Sequence, residues 1–137
     1  MLSTHCTPAQ TAVLQTLQRQ HRPLSAQSLY TLMCQHQRIG LATVYRSLDA
    51  LKRLGRVQHR ATLEGEMLYS AVEADHHYMT CLHCGQSFPL DRCPLKAIEA
   101  QLQGSSSFTI YYHTLEFFGL CEPCAIQMDG ISQSLSL

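Results

Sequence analysis

The stretch IGLATVYRSLDALKRLG, residues 39–55, predicts an amphipathic helix. Thr43 is a suitable N-cap residue near its start, and Gly55 ends the pattern because glycine readily adopts the left-handed conformation found after many helices. Between them, one apolar stripe recurs at helical spacing and is formed by Val44, Leu48 and Leu51. One face of this helix is therefore predicted to be buried and the other exposed.

Two shorter helical patterns precede this helix, and a hairpin follows it. Pro8 is placed to begin the first helix and Ser25 to cap the second, positions that these residue types favour. Beyond Gly55, RVQHR and EMLYS flank ATLEG, so a two-stranded hairpin is predicted to turn at Glu64 and Gly65. Helix, turn, helix and hairpin together predict a winged helix-turn-helix.

In a winged helix-turn-helix, the second helix of the pair lies in the major groove of DNA, with its N-terminal residues toward the bases. Thr and Tyr side chains contact thymine methyl groups, and Arg reads guanine or holds a phosphate. The alternative is a small helical core with an incidental basic surface. The predicted DNA-contacting residues lie on the exposed face and at the basic far end of the helix: Ala42, Thr43, Tyr45, Arg46, Lys52 and Arg53.

The charge of this 137-residue chain is zero overall but divided between its halves. Residues 1–72 hold eight basic residues against three acidic ones, and residues 73–137 hold two against seven. A basic half joined to an acidic half predicts a two-part protein whose first part contacts a polyanion. No apolar run approaches the ~20 residues that cross a membrane, and no secretory signal is readable, so we expect a cytoplasmic protein without a membrane partner.

Two Cys-x-x-Cys motifs predict a zinc site. Cys81 and Cys84 form the first motif, and Cys121 and Cys124 form the second, with 36 residues between the motifs. Four thiolates suit a closed tetrahedral zinc site, which would stabilise a small domain with little core. Two redox pairs or two disulfides are the alternatives, but a cytoplasmic setting, an odd total of seven cysteines and the repeat of the motif favour zinc.

Enzymatic chemistry is not predicted. A zinc deaminase requires His-x-Glu, and none of the eight histidines is followed two residues later by glutamate. No Ser/His/Asp order or phosphate-binding glycine loop is present either. We therefore expect no catalytic residues and no small-molecule substrate other than a metal ion.

Residues outside the cysteine pairs predict a second metal site. The run before Cys81 has the pattern of a strand, in which Asp75 and His77 share one face and His76 and Tyr78 the other. Further donors follow at Cys93, which precedes a predicted helix, and at His113 in the strand-like FTIYYHTLEFFGLC. The alternative is exposed histidines and a buried, small apolar Cys93. The predicted tetrahedral set is Asp75, His77, Cys93 and His113.

Three segments of the chain resemble the ferric uptake regulator family: IGLATVYRSLDALKRLG, DHHYMTCLHCG and HTLEFFGLCEPC. The resemblance extends over nearly the whole chain and implies an α+β homodimer with an N-terminal winged helix-turn-helix for DNA and a small C-terminal α/β dimerisation domain. The expected parts are a DNA-binding domain at 1–72, a hinge at 73–75, a zinc-binding dimerisation domain at 76–125 and a tail at 126–137. We expect its uncharged end GISQSLSL, residues 130–137, to be frayed.

The resemblance also implies two metals in each subunit. A structural zinc would be held by the four paired cysteines, and a regulatory metal would set the affinity for DNA. Asp75 and His77 match the family's strand ligands and His113 its later histidine, whereas Glu99 is a second-tier candidate for its usual glutamate. The family's hinge-bridging site looks degraded, because Tyr78 stands where a ligand is expected. His76 is a second-tier candidate as well.

Cys93 points to one branch of the family. Cysteine with histidine suits zinc, whereas iron and manganese sensors favour nitrogen and oxygen donors. The chain thus resembles a zinc uptake regulator, which implies repression of zinc-uptake genes through a double-stranded, A/T-rich inverted repeat. The alternatives are an iron- or peroxide-responsive regulator of the same family, and a zinc-buffering or redox protein without a DNA function.

Overall fold

The computed structural model describes residues 6–20, 22–72 and 77–135, with side chains described as far as Asp129. The chain divides into two compact units, Met1–Asp75 and His76–Leu137. Within the described ranges, no helix combines the length and the apolar character that crossing a membrane requires.

Three helices form most of the first unit: α1 (Pro8–Arg19), α2 (Ala26–Cys34) and α3 (Leu41–Arg53). Ser25 caps α2 as predicted, since its side chain accepts a hydrogen bond from the backbone N–H of Ser28. The predicted cap at Thr43 is wrong, because the N-cap of α3 is Gly40, three residues earlier, and the helix begins at Leu41. The Thr43 hydroxyl instead accepts a hydrogen bond of 3.0 Å from the Arg46 guanidinium, one turn along the helix.

A three-stranded antiparallel sheet completes the first unit. Its strands are β1 (Leu24–Ser25), β2 (Val57–Ala61) and β3 (Met67–Ala71), in the order β1-β3-β2. The hairpin of β2 and β3 confirms the sequence prediction, and Gly65 occupies its turn with a φ of 86°. Glycine suits this turn because other residues rarely adopt a positive φ.

The core of the first unit lies between the helices and this sheet. The apolar stripe of α3 is fully buried there, with Val44, Leu48 and Leu51 each 0% exposed. Val13 and Leu17 of α1 and Leu29 and Met33 of α2 pack in the same cluster. Burial of one face fixes the rotation of α3, so its opposite face is turned to solvent.

The second unit contains a three-stranded sheet with two helices. Its strands are β4 (Tyr78–Cys81), β5 (Ser87–Pro89) and β6 (Glu116–Gly119), and its helices are α4 (Lys96–Ser105) and α5 (Glu122–Leu135). The sheet order is β5-β4-β6, with β5 antiparallel and β6 parallel to the central strand. In this register Tyr78 pairs with Glu116 and Cys81 with Gly119.

Two sequence expectations fail in this unit. His113 does not lie in a strand, because β6 begins only at Glu116. The expectation that residues 130–137 are frayed is also wrong through Leu135, because α5 continues from the second cysteine pair to that residue. A proline in its first turn, a buried Cys124 and the helix-favouring residues of AIQM support this helix.

Candidate metal centres and nucleic-acid interface

The four paired cysteines converge in the second unit. The ligand atoms of Cys81, Cys84, Cys121 and Cys124 all lie within 4.8 Å of one another. The Sγ atoms of Cys84 and Cys121 are 3.9 Å apart. Sulfur ligands of a tetrahedral zinc ion lie about 3.8 Å apart when each Zn–S bond is about 2.3 Å. The cluster therefore has the composition and the spacing of a four-cysteine zinc site.

The local electrostatics of this cluster favour a thiolate at one of its members. The pKa of the Cys81 thiol is lowered to about 5. The largest cause is the backbone N–H of Cys121 and the next is that of Cys84, because both donate toward the sulfur. The pKa of the Cys124 thiol is raised to about 12. The largest cause is a hydrogen bond with the Cys121 side chain, and burial is the second. A bound metal deprotonates its thiol ligands, so the cluster would present four thiolates to zinc.

A second cluster brings together three of the four residues predicted for the regulatory site. The Nε2 atom of His113 lies 3.0 Å from the Sγ of Cys93 and 3.1 Å from the Nε2 of His77. His77 is buried, with 2% of its surface exposed. Nitrogen and sulfur ligands of one tetrahedral zinc lie about 3.3–3.6 Å apart, so small outward shifts of these side chains would admit the ion. The remaining predicted residues, Asp75 and second-tier His76, lie outside the described residues.

Glu99 contacts the opposite side of His113. Its carboxylate accepts a hydrogen bond from the Nδ1 of His113, while the Nε2 of the same ring faces Cys93 and His77. A proton held on Nδ1 leaves the lone pair of Nε2 available to a metal. Glu99 is not among the converging ligand atoms, so the described geometry makes it a partner of a ligand.

Gln103 forms hydrogen bonds with the segment that leads from α4 to His113, and the sequence analysis did not identify it. Its Nε2 donates to the carbonyl of Phe108 at 3.1 Å, and its Oε1 accepts from the N–H of Ile110 at 2.9 Å. Gln103 and Glu99 are four residues apart and so share one face of α4. This spacing was visible in the sequence, but a surface pair at i and i+4 is too common to indicate a function.

An apolar surface lies on the sheet of the second unit. Met79 of β4 pairs with Phe117 of β6 and with Phe88 of β5, which sets the three side chains beside one another. Met79 and Phe117 are 46% and 52% exposed. Together with the segment that leads into α5, they line an open cavity of about 580 Å³. Large contiguous apolar surfaces of this kind are typical of interfaces between protein chains.

The predicted DNA-contacting residues lie where the sequence placed them on α3. Ala42, Tyr45, Arg46 and Arg53 are exposed, and Tyr45 has 48% of its surface accessible. Thr43 and Lys52 are half-buried. The hydrogen bond between Thr43 and Arg46 holds the guanidinium over the first turn of the helix. The exposed face of α3 therefore combines a cation, an aromatic ring and small side chains.

Comparison with known proteins identifies the family. The model of the ferric uptake regulator family matches residues 2–118. The chain belongs to the ferric uptake regulator family. Its members are metal-responsive transcription regulators with an N-terminal DNA-binding domain and a C-terminal dimerisation domain, and they are not enzymes. The predicted α+β class and the expected lack of enzymatic activity are thereby confirmed.

Individual relatives come from several branches of this family. The ferric uptake regulation protein of Neisseria meningitidis is 27% identical over 114 residues, covering 82% of this chain and 78% of the relative. The peroxide-responsive repressor of Staphylococcus aureus is 26% identical over 119 residues, covering 86% and 80%. These similarities agree with the family assignment, but they do not indicate which metal this chain binds.

Solved structures share the fold. The peroxide stress regulator of Campylobacter jejuni aligns with a TM-score of 0.62 at 25% identity, covering 87% of this chain and 90% of that one. The Pseudomonas aeruginosa ferric uptake regulator, solved with manganese, aligns with a TM-score of 0.64 at 23% identity, covering 85% and 89%.

Proposed function

We propose that this ferric uptake regulator family member is a cytoplasmic, zinc-responsive, dimeric repressor of zinc-uptake genes that binds an A/T-rich inverted repeat. The observation that carries the proposal is the convergence of Cys93 with His77 and His113. A soft thiolate beside two imidazoles suits zinc, whereas carboxylate, imidazole and water ligands without sulfur suit iron(II) and manganese. The donor set thus favours zinc over the metals of other branches.

The regulatory zinc would be held by His77, Cys93 and His113, with Asp75 as the proposed fourth ligand. A zinc ion bound here would act as a cross-link, because its ligands are far apart in the sequence and meet at one point. Glu99 keeps the proton of His113 on Nδ1 and orients the ring, the usual role of a carboxylate behind a histidine ligand. Cys93 and Glu99 thus have separate roles at one site.

The regulatory effect of zinc requires a difference in affinity between two states of the protein. Zinc raises the affinity for DNA only if it binds the DNA-competent state more tightly than the incompetent one. The ligands lie before β4, before α4 and before β6, so a bound ion would fix these three segments relative to one another. A state in which the segments are separated would bind zinc weakly.

A second, structural zinc would be held by Cys81, Cys84, Cys121 and Cys124, giving two zinc ions in each subunit. The second unit supports this assignment, because its sheet has strands of only three or four residues and α4 has no buried residue. So little apolar burial leaves a small domain dependent on metal for its stability.

Homodimer formation is supported by the apolar surface around Met79 and Phe117. Both side chains are large and about half exposed in one copy of the chain. Burial of such residues contributes roughly 25 cal/mol for each Å² of apolar surface removed from water. A second copy covering this surface would also supply the twofold symmetry that an inverted repeat requires.

DNA recognition is assigned to the exposed face of α3. Arg46 and Tyr45 lie near the N-terminus of this helix, the end that faces the bases in helix-turn-helix proteins. Lys52 and Arg53 at the other end are suited to phosphate contacts. Each copy of the chain would read one half of the inverted repeat.

A metal titration distinguishes this proposal from its rivals. Protein that retains its tightly bound zinc is titrated with zinc, iron(II) or manganese(II) while its binding to an A/T-rich palindromic duplex is followed. We expect zinc to strengthen binding at the lowest free concentration, and a scrambled duplex of equal composition to show a smaller response. A response to iron(II) or manganese(II) alone would establish another branch of the family, and no DNA binding with any metal would favour the zinc-buffering or redox alternative.

A further inference from the structure

Each strand of the second sheet joins one proposed metal site to the other. His77 directly precedes β4, and Cys81 is the last residue of that strand. His113 lies three residues before β6, and Cys121 lies two residues after it. Because β4 and β6 are parallel, both strands run from the regulatory cluster to the four-cysteine cluster.

The third strand makes the same connection in the opposite direction. Cys84 lies three residues before β5, and Cys93 lies four residues after it. Since β5 is antiparallel to β4, its beginning lies beside the end of β4. The two clusters are thus at opposite ends of one sheet, and every strand contributes a ligand residue near each end.

A chain of polar side chains crosses the sheet between these ends. The Thr80 hydroxyl of β4 donates to the carboxylate of Glu116 on β6. Its oxygen lies 2.8 Å from the hydroxyl oxygen of Ser87 on β5. Because the single proton of Thr80 is directed to the carboxylate, Ser87 is the donor in this second hydrogen bond. Thr80 is only 5% exposed, so water competes little for these contacts.

We propose that the hydrogen-bonded chain of Ser87, Thr80 and Glu116 couples the two metal sites. The proposal rests on the regulatory zinc site described above. Structural zinc holds the three strands together at one end, and the polar chain fixes their lateral alignment between the sites. His77, Cys93 and His113 are thereby already aligned when the regulatory zinc arrives. Thr80 is a positioning residue, because it contacts no proposed ligand atom in the described interactions.

Substitution of Thr80 tests whether the polar chain aligns the residues of the regulatory site. Thr80→Val keeps a β-branched side chain of similar shape in the strand but removes the hydroxyl, whereas Thr80→Ser keeps the hydroxyl and removes the methyl group. Thr109→Val changes an exposed threonine of the same unit and serves as the control. Each protein is prepared with its structural zinc, and the affinity for the second zinc is measured by competition with a chromophoric chelator.

We expect Thr80→Val to retain the structural zinc and the dimer but to bind the second zinc about 2- to 30-fold more weakly, the range for substitutions that alter coupling between sites. Thr80→Ser and Thr109→Val should bind it like the wild type. The rise in Tm caused by the second zinc should also be smaller in Thr80→Val, since weaker binding stabilises the folded state less. Comparison with Thr80→Ser thus distinguishes the loss of the hydroxyl from the general effect of a mutation in the sheet.

Several results would overturn the coupling. Wild-type affinity in Thr80→Val, or equal weakening in Thr80→Ser, would show that the hydroxyl is not required. If Thr80→Val does not fold, Ser87→Ala decides, because it releases only the strand that leads to Cys93; wild-type affinity in that variant would reject the proposal. Failure of the wild type to bind a second zinc at all would instead reject the regulatory site itself.

Discussion

Cys93 and His113 are separated by 20 residues in the sequence, yet the sulfur of one lies 3.0 Å from the Nε2 of the other. Helix α4 and the segment after it return the chain to this point. His77 reaches the same nitrogen from the start of β4, at 3.1 Å. One imidazole is thus at the centre of a group of donors that comes from three separate segments.

Replacement of Cys93 by serine tests the regulatory site. Cys93→Ser removes a thiolate while nearly preserving volume, so the fold, the dimer and about one zinc per subunit should remain. The second zinc should be lost, together with the zinc-dependent gain in DNA affinity, typically ~1–3 kcal/mol for coupled sites. Zinc stoichiometry and duplex binding are measured side by side.

The variants His77→Ala and His113→Ala should behave like Cys93→Ser if all three residues share one metal. Cys34→Ser is a matched control, because it changes an exposed cysteine of the first unit. His76→Ala should have less effect, because the sequence pattern predicts His76 on the face opposite His77. Normal zinc response in Cys93→Ser together with its loss in His76→Ala would move the regulatory metal to that face.

Glu99→Gln tests whether the carboxylate orients His113 or binds the metal itself. An amide in place of the carboxylate retains a hydrogen-bond acceptor but loses the charge, so affinity for the second zinc should fall about 10- to 100-fold, as is typical for partners of metal ligands. With cobalt(II) as the probe, the charge-transfer absorption from the Cys93 sulfur should persist. A changed ligand-field (d–d) spectrum at saturating cobalt(II), with no change in the Glu122→Gln control, would indicate that Glu99 is a direct ligand.

Cys121→Ser should disrupt the second unit. Three remaining thiolates hold zinc less tightly than four, and a domain with so little buried apolar surface depends on its metal. We expect loss of the tightly bound zinc and of the dimer, measured by metal analysis and by sedimentation. A folded dimer that still holds zinc at this cluster would contradict the structural assignment.

Arg46→Ala and Lys52→Ala should weaken DNA binding in different ways. Loss of a base contact at Arg46 should reduce specific binding by ~1–3 kcal/mol and leave non-specific binding less affected. Loss of a phosphate contact at Lys52 should weaken both and reduce the dependence of binding on salt. Binding isotherms over a range of salt concentrations distinguish the two effects, and unaltered specific binding by Arg46→Ala would mean that the recognition surface lies elsewhere.

His59 predicts a pH dependence in the stability of the first unit. The pKa of His59 lies below its usual value of 6.5, mainly because the ring is partly buried and also because Lys52 carries a positive charge nearby. The unfolded chain therefore takes up this proton more readily, and stability should fall as the pH drops below about 6.5 toward the folded-state pKa. His59→Gln should flatten this part of the profile in thermal unfolding, whereas His36→Gln, at an exposed position, should not. Parallel profiles for His59→Gln and the wild type would contradict the expectation.

The first unit was largely predictable from the sequence because its signals are local. Ser25 caps α2, the stripe of α3 is buried, and Gly65 forms the hairpin turn, as predicted. The start of α3 was misplaced, because Thr43 resembles a cap but forms its hydrogen bond with Arg46 inside the helix. Tertiary packing places the start at Leu41, where no side-chain cap marks it.

The sequence by itself determined which residues are available as metal ligands, because thiol and imidazole chemistry and Cys-x-x-Cys spacing are properties of the chain. The tertiary structure decided how they are grouped: the parallel pairing of β4 with β6 brings both cysteine pairs to one end of the sheet. It also decided that Glu99 contacts Nδ1 of His113 and that Thr80 links Ser87 to Glu116. These contacts depend on the register of the strands and on how α4 brings the chain back toward Cys93. The residues involved are far apart in the sequence, so no local pattern indicates the register or the path of the chain.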